Sequence, residues 1–184
     1  MSYKDLKSYQ AATTIYDFTV EFCGLYVNPT NQTDQSDKSN YSHRSYRTAD
    51  QMIQAARSSK QNIVEGSSYR TSEKSELKLL GVARASFQEL LEDYEDFLRQ
   101  RRMRQWNKDS PEAQEVRRLA YQLNQSYWSY LSNSERAANA MICLINQTNY
   151  LLDRQIKSAE EKFLKQGGYT ESLYRRRLDQ RNKQ

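Results

Sequence analysis

The sequence predicts an all-α protein, and three observations carry that prediction. Apolar residues recur at steps of three and four along most of the chain, the period of a helix with one core-facing side. Five glycines and two prolines in 184 residues leave little of the turn punctuation that a β-rich fold needs. Hydrophobic residues make up 37% and charged residues 28%, with a mean hydropathy of -1.01, a balance suited to long amphipathic helices. A chain of this length buries one core, so one domain over 1–166 with an appended tail over 167–184 is expected.

Leu6, Tyr9, Thr13, Tyr16, Val20, Cys23 and Val27 step by three and four along a first helix that Asn28-Pro29 ends. The run from Thr30 to Asn40 holds no apolar residue, so 28–47 reads as a flexible polar loop. Thr48-Ala49-Asp50-Gln51 offers a capping box, which predicts a helix start. Met52, Ala56, Ser59 and Ile63 follow on one face, and Gly66 is placed to end the helix in a left-handed conformation. From about Ser72 a third helix carries Leu77, Leu80, Arg84, Phe87, Leu91, Tyr94 and Leu98, widened by Leu79, Ala83, Leu90 and Phe97.

Ser110-Pro111-Glu112 restarts the chain with a cap, a proline at the first helical position and an acid at the positive helix end. This short helix carries Val116, Leu119, Ala120 and Leu123 to about Gln125, and 110–132 closes with the aromatic cluster Tyr121, Tyr127, Trp128 and Tyr130. A last long helix from Ser134 presents Met141, Leu144, Ile145, Thr148, Leu151, Leu152, Ile156, Ala159 and Phe163 until Gly167-Gly168. Leu173, Tyr174 and Leu178 sit among arginines in the tail.

No run of about 18 apolar residues exists, so no membrane span is expected. Met1 to Asp5 leads into a mixed polar helix instead of an apolar signal core, and a cytoplasmic protein is the expectation. Cys23 and Cys143 then read as buried reduced thiols, at no metal-like spacing. The sequons Asn31-Gln32-Thr33 and Asn40-Tyr41-Ser42 carry no meaning without secretion.

Two longer patterns carry a resemblance. Asn62-Ile63-Val64-Glu65-Gly66 with Gly81-Val82-Ala83-Arg84-Ala85-Ser86 resembles the small proteins related to those encoded in intervening sequences of bacterial 23S ribosomal RNA. Asp93 to Arg99, Glu115 to Tyr121, Cys143 to Gln155 and Gly167 to Glu171 look like its four helix bundle suffix-domain subgroup. The resemblance spans most of the chain, although the polar loop after the first helix is longer than the family pattern. It implies an antiparallel, up-down four-helix bundle, with the 110–132 segment as an extra short helix and the basic tail helical. It also implies a ring-shaped homo-oligomer. A more distant similarity, in fold, is to the accessory variability determinant of diversity-generating retroelements, which binds nucleic acid and a reverse transcriptase.

Catalytic chemistry has few candidates. His43 is the only histidine and lies in the polar loop, which excludes a histidine triad or a multi-histidine metal site within one chain. Glu92, Asp93, Glu95 and Asp96 form an acidic turn; Glu92 and Asp96 have the spacing to hold a divalent ion, but a solvated face with an i,i+4 pair from Glu95 to Arg99 is the favoured reading. Neither a metal nor a cofactor is expected, and the chain is not read as an enzyme. Glu65 and Arg84 are expected to form a structural ion pair between the second and third helices.

Charge is the remaining clue. The net charge is +5, with a pI near 9.1, and the positives are clustered. Arg99, Arg101, Arg102, Arg104 and Lys108 crowd the end of the third helix, Arg117 and Arg118 follow on the next, and Arg175, Arg176, Arg177 and Arg181 load the tail. Such clusters attract phosphates through counterion release, and Trp106, Tyr121, Trp128, Tyr169 and Tyr174 lie near them for stacking. Arginines at a helix carboxyl end also satisfy its dipole, and aromatics also fill cores or subunit contacts. The expected function is therefore non-enzymatic binding of RNA or another nucleic acid, as an accessory factor to a nucleic-acid enzyme. The alternative is a protein-protein scaffold or adaptor without nucleic acid. Surplus apolar surface, above all Tyr127, Trp128 and Tyr130, predicts self-association unless the short helix from Pro111 to about Gln125 and the tail fold back over it.

Overall fold

The computed structural model describes residues 2–28, 41–68, 72–119 and 127–182, except for the side chains of 41–46, 166 and 170. Among the described residues every regular element is helical. After a 3-10 turn at Tyr3–Asp5, the chain forms α1 (Lys7–Phe22), α2 (Tyr41–Gly66), α3 (Glu73–Gln100), α4 (Pro111–Leu119), α5 (Ser134–Gln166) and α6 (Tyr169–Arg181). A π-helical turn at Cys23–Val27 extends α1, and a 3-10 segment at Tyr127–Ser132 leads into α5.

Side-chain caps fix several starts. Ser72 Oγ accepts from the Ser75 amide at 3.3 Å, Ser110 Oγ from the Ala113 amide at 3.2 Å, and Asn133 Oδ1 from the Arg136 amide at 3.0 Å. The break after α5 uses Gly167 at φ 72°, where any larger residue would be strained.

One boundary differs from the sequence reading, and one terminator acts in another way than expected. Helix α2 begins at Tyr41, so Thr48 is one of its residues and not its cap. Residues 41–47 hold no glycine or proline, so no helix-breaking residue stops the helix short of Tyr41. The part of the expected polar loop over 29–40 lies outside the described residues, as do Ala120 to Gln125 of the short helix. Gly66 ends α2 without a positive φ, which only Gly167 adopts among the described glycines. Its role is close approach: a Cβ there would lie 3.3 Å from Leu79 Cβ and 3.5 Å from the Glu76 carbonyl.

Helix α2 packs along α3, α3 along α5, and α1 against both α2 and α5. Contacts at several levels tie these pairs: Lys60 Nζ lies 4.0 Å from the Tyr16 ring centre, Ser58 and Ser86 share a 3.0 Å hydrogen bond, and Ser8 donates to Gln155 at 2.9 Å. The predicted face of Met52, Ala56, Ser59 and Ile63 is fully buried. At the centre, Phe22 meets Tyr94 and Phe97 with ring centres 4.9 and 4.8 Å apart. The Tyr94 hydroxyl shares a 3.0 Å hydrogen bond with Thr19, and burial holds its pKa well above the usual phenol value. Cys23 reaches the Ala49 carbonyl and Met52 Sδ, and burial pushes its thiol up to about 12.

The aromatic run lies on its own chain. Tyr127 and Tyr130 are buried in the core, Trp128 stacks on Phe18 with centres 6.0 Å apart, and the Tyr26 hydroxyl donates to the Leu131 carbonyl. Tyr127 and Tyr130, two of the three aromatics expected to seek a subunit contact, are buried where their 3-10 segment packs on α5 and α1, and Trp128 is left half-exposed.

Candidate nucleic-acid interface

The carboxyl end of α3 organises the first arginines. The Arg102 amide donates to the Arg99 carbonyl at 3.1 Å and the Met103 amide to the Leu98 carbonyl at 2.9 Å, a Schellman closure with Arg102 at φ 54°. Arginine in the position that favours glycine is strained, by about 1 kcal/mol. Arg101 lies over the Phe97 ring at 3.9 Å and donates to the Tyr26 carbonyl at 3.4 Å. Arg99 is bound to Asp96 at 2.7 Å, one residue away from its expected partner Glu95, which instead accepts from Gln105 Nε2 at 3.0 Å. Spacings of three and four both bring helical side chains together, so periodicity alone does not choose between them.

Beyond Met103 the chain has no regular structure until α4, and one buried amide holds it. Asn139 of α5, 1% exposed, accepts from the Trp106 amide at 2.7 Å and donates to the Arg104 carbonyl at 2.9 Å. It also donates to the Glu135 carbonyl, so the buried group is satisfied. Glu135 itself accepts from the Arg104 amide at 3.1 Å. The clamp sets Trp106 half-buried against α5, and Arg117 of α4 closes the far side by donating to the Lys108 carbonyl.

These elements enclose a cleft of about 600 Å³. Trp106, Lys108 and Arg117 line one side and Asn146, Gln147 and Tyr150 the other, with Glu95, Gln105, Ile142 and Cys143 completing it. The Cys143 thiol is raised by burial, with Arg117 acting in the opposite direction, so it is a weak nucleophile. Gln147 Oε1 is buried and has no hydrogen-bond partner among the described residues.

The structure thus gathers Lys108 and Arg117 at one cleft, leaves Arg102, Arg104 and Arg118 around it in sequence, and commits Arg99 and Arg101 to local partners. Arg175, Arg176, Arg177 and Arg181 lie on α6, where no described residue is buried. No described hydrogen bond or ion pair joins α6 to the cleft.

Arg84 also takes a different partner. Its Nε donates to Asp153 of α5 at 3.1 Å and its Nη1 to Gln88 at 3.3 Å, so the ion pair seen for Arg84 is to α5 and not to Glu65. The side chains are 32% and 58% exposed, which places this pair near 0.2–1 kcal/mol instead of the roughly 3 kcal/mol of a buried pair.

A second groove, between α2 and α3, is acidic. Glu89, Glu92, Asp93 and Asp96 line it with Gln51 and Ser86, yet among the described residues no three metal-ligating side chains converge. Partial burial, then Asp96, Glu89 and Glu92, raise Asp93 from an ordinary 3.8 to about 6. The folded state holds this proton more tightly than the unfolded chain, so stability falls as pH rises from about 4 through 6. Asp93→Asn is therefore expected to stabilise the fold by about 1 kcal/mol at pH 8, after allowance for solvent screening. No gain is expected at pH 4. Urea denaturation at both pH values checks this, and an equal effect at each would contradict it.

No family model, curated protein or solved structure matches the chain. Sequence reasoning missed Asn139, Asn146, Gln147 and Tyr150. Their signal was present: with Cys143 they recur at three- and four-residue steps along one α5 face, an amide stripe beside an apolar one.

Proposed function

We propose that this chain is a non-enzymatic nucleic-acid-binding protein that engages RNA or DNA through its arginine-rich surfaces. In this reading α1, α2, α3 and α5 make an antiparallel four-helix bundle, α4 is the extra helix, and α6 is a basic arm. The kinship with the 23S rRNA intervening-sequence proteins and self-association into a homo-oligomer belong to the same proposal, and a ring of subunits would multiply the charge of +5.

One observation supports it above others. Arg102, Arg118, Arg175, Arg176, Arg177 and Arg181 make no ion pair with a carboxylate among the described residues, whereas Arg84 is held by Asp153 and Arg99 by Asp96. Guanidinium groups left unpaired keep their forked donors for phosphate.

Binding to unspecific RNA is expected to weaken linearly in log K against log salt. Replacing Arg175, Arg176 and Arg177 together by alanine should reduce that slope by about one for each phosphate no longer engaged, with helicity retained because all three are exposed. Absence of binding at about 50 mM salt would refute the reading.

A protein scaffold is the second reading. Leu164 is 81% exposed near the end of α5, and Tyr169, Leu173, Tyr174 and Leu178 are exposed on α6 beyond it. Recovery of one partner protein from nuclease-treated lysate, with no salt-dependent RNA binding, would favour it.

A further inference from the structure

We infer that the cleft between the Trp106 segment, α4 and α5 takes one unpaired nucleotide of a bound strand, with its base inside and its phosphate at Lys108 and Arg117. This rests on the nucleic-acid reading above and adds a base-recognition site to it. The size fits, since about 600 Å³ lies within the range of pockets that enclose small organic ligands.

The chemistry of the walls is divided in the way a nucleotide is divided. Arg117 uses one guanidinium edge on the Lys108 carbonyl and has further N–H donors, and Lys108 lines the same cleft, so this wall carries two cationic residues to suit an anion. Trp106 and Tyr150 supply aromatic surface; Tyr150 is 61% exposed, with the Arg154 guanidinium 6.0 Å from its ring centre. A π-face flanked by a cation is a stacking platform for a base.

A remaining polar group sets a preference. The Glu95 carboxylate lines the cleft and has capacity beyond the single bond from Gln105. It seeks N–H groups. Adenine, cytosine and guanine each carry an exocyclic amine on the Watson–Crick edge, while uracil and thymine offer two carbonyls and one N–H. A carboxylate lining the cleft therefore selects amino-bearing bases and repels the uracil carbonyls.

Tryptophan fluorescence of a Trp128→Phe background, which leaves Trp106 as the reporter, reads the site directly. Titration with oligo(A), oligo(C) and oligo(U) at equal salt, as RNA and as DNA, is expected to quench Trp106 and to show about tenfold tighter binding of the amino-bearing strands. Dextran sulfate, a polyanion without bases, should bind and leave Trp106 unquenched. Glu95→Leu should abolish the preference while retaining salt-dependent binding. Tyr150→Ala, at an exposed position whose truncation leaves the core intact, should weaken quenching by all strands. Salt-dependent binding of every strand with equal affinity, or equal quenching by dextran sulfate, would overturn the nucleotide site and leave the nucleic-acid reading standing. Failure of every strand to bind at low salt would overturn both.

Discussion

Replacing Phe22 by alanine is expected to destabilise the protein by about 3–5 kcal/mol. Phe22 is fully buried where α1 passes into its π-helical turn, and its ring touches Tyr94, Phe97 and Tyr26. The rings are tilted or edge-on, with centres between 4.8 and 5.4 Å apart, so truncation removes favourable aromatic interactions as well as buried area. Collapse into the cavity is resisted because Tyr94 is held in place by its hydrogen bond to Thr19. A domain of this size has only about 5–15 kcal/mol in total, so the variant should melt roughly 10 °C or more below the parent. Thermal denaturation followed by helical circular dichroism measures it, and a shift of less than about 3 °C would show that Phe22 is not part of a tightly packed centre.

The helical framework was legible because its signals are local and redundant. Ser110-Pro111, Ser134 and Gly167-Gly168 mark real boundaries, and most of the apolar residues of α3 and α5 that repeat at three and four are buried, with Leu77, Leu79, Leu151, Ile156 and Phe163 half-buried. Where the fold departs from its local signals, the cause is context beyond the motif. Thr48 to Gln51 has the residue types of a cap, but a capping motif starts a helix only where the preceding residues are not themselves helical. Gly66 reads as a terminator by its position, whereas its lack of a side chain serves contact with α3, a partner no local rule reveals.

Ion-pair partners were the least legible. Arg84 meets Asp153, 69 residues away, because α3 and α5 are neighbours, and such adjacency is absent from helical periodicity. The arginine clusters were visible as composition, yet their availability was not. Arg99 and Arg101 are engaged locally, Arg102 closes a helix, and only the fold separates these roles from Arg117 at the cleft.

Asn139→Ala is expected to cost about 3 kcal/mol, because it strips one buried partner from the Trp106 amide and another from the Arg104 carbonyl. Neither backbone group belongs to a helix, so no intrahelical bond takes the place of the missing ones. Asn139→Asp separates the two halves of the clamp. A carboxylate still accepts from the Trp106 amide but donates nothing to Arg104 or Glu135, and it buries a charge beside their carbonyls. The aspartate should therefore be the less stable variant at pH 7. Its proton is favoured by the fold, so its folded pKa lies above the unfolded value and its stability should recover as pH falls toward 5. Urea denaturation at both pH values gives the ranking, and hydrogen exchange at the Trp106 amide reports the clamp itself. An alanine variant within about 0.5 kcal/mol of the parent, with slow exchange retained at Trp106, would mean that packing against α5 holds the segment and that the amide is incidental.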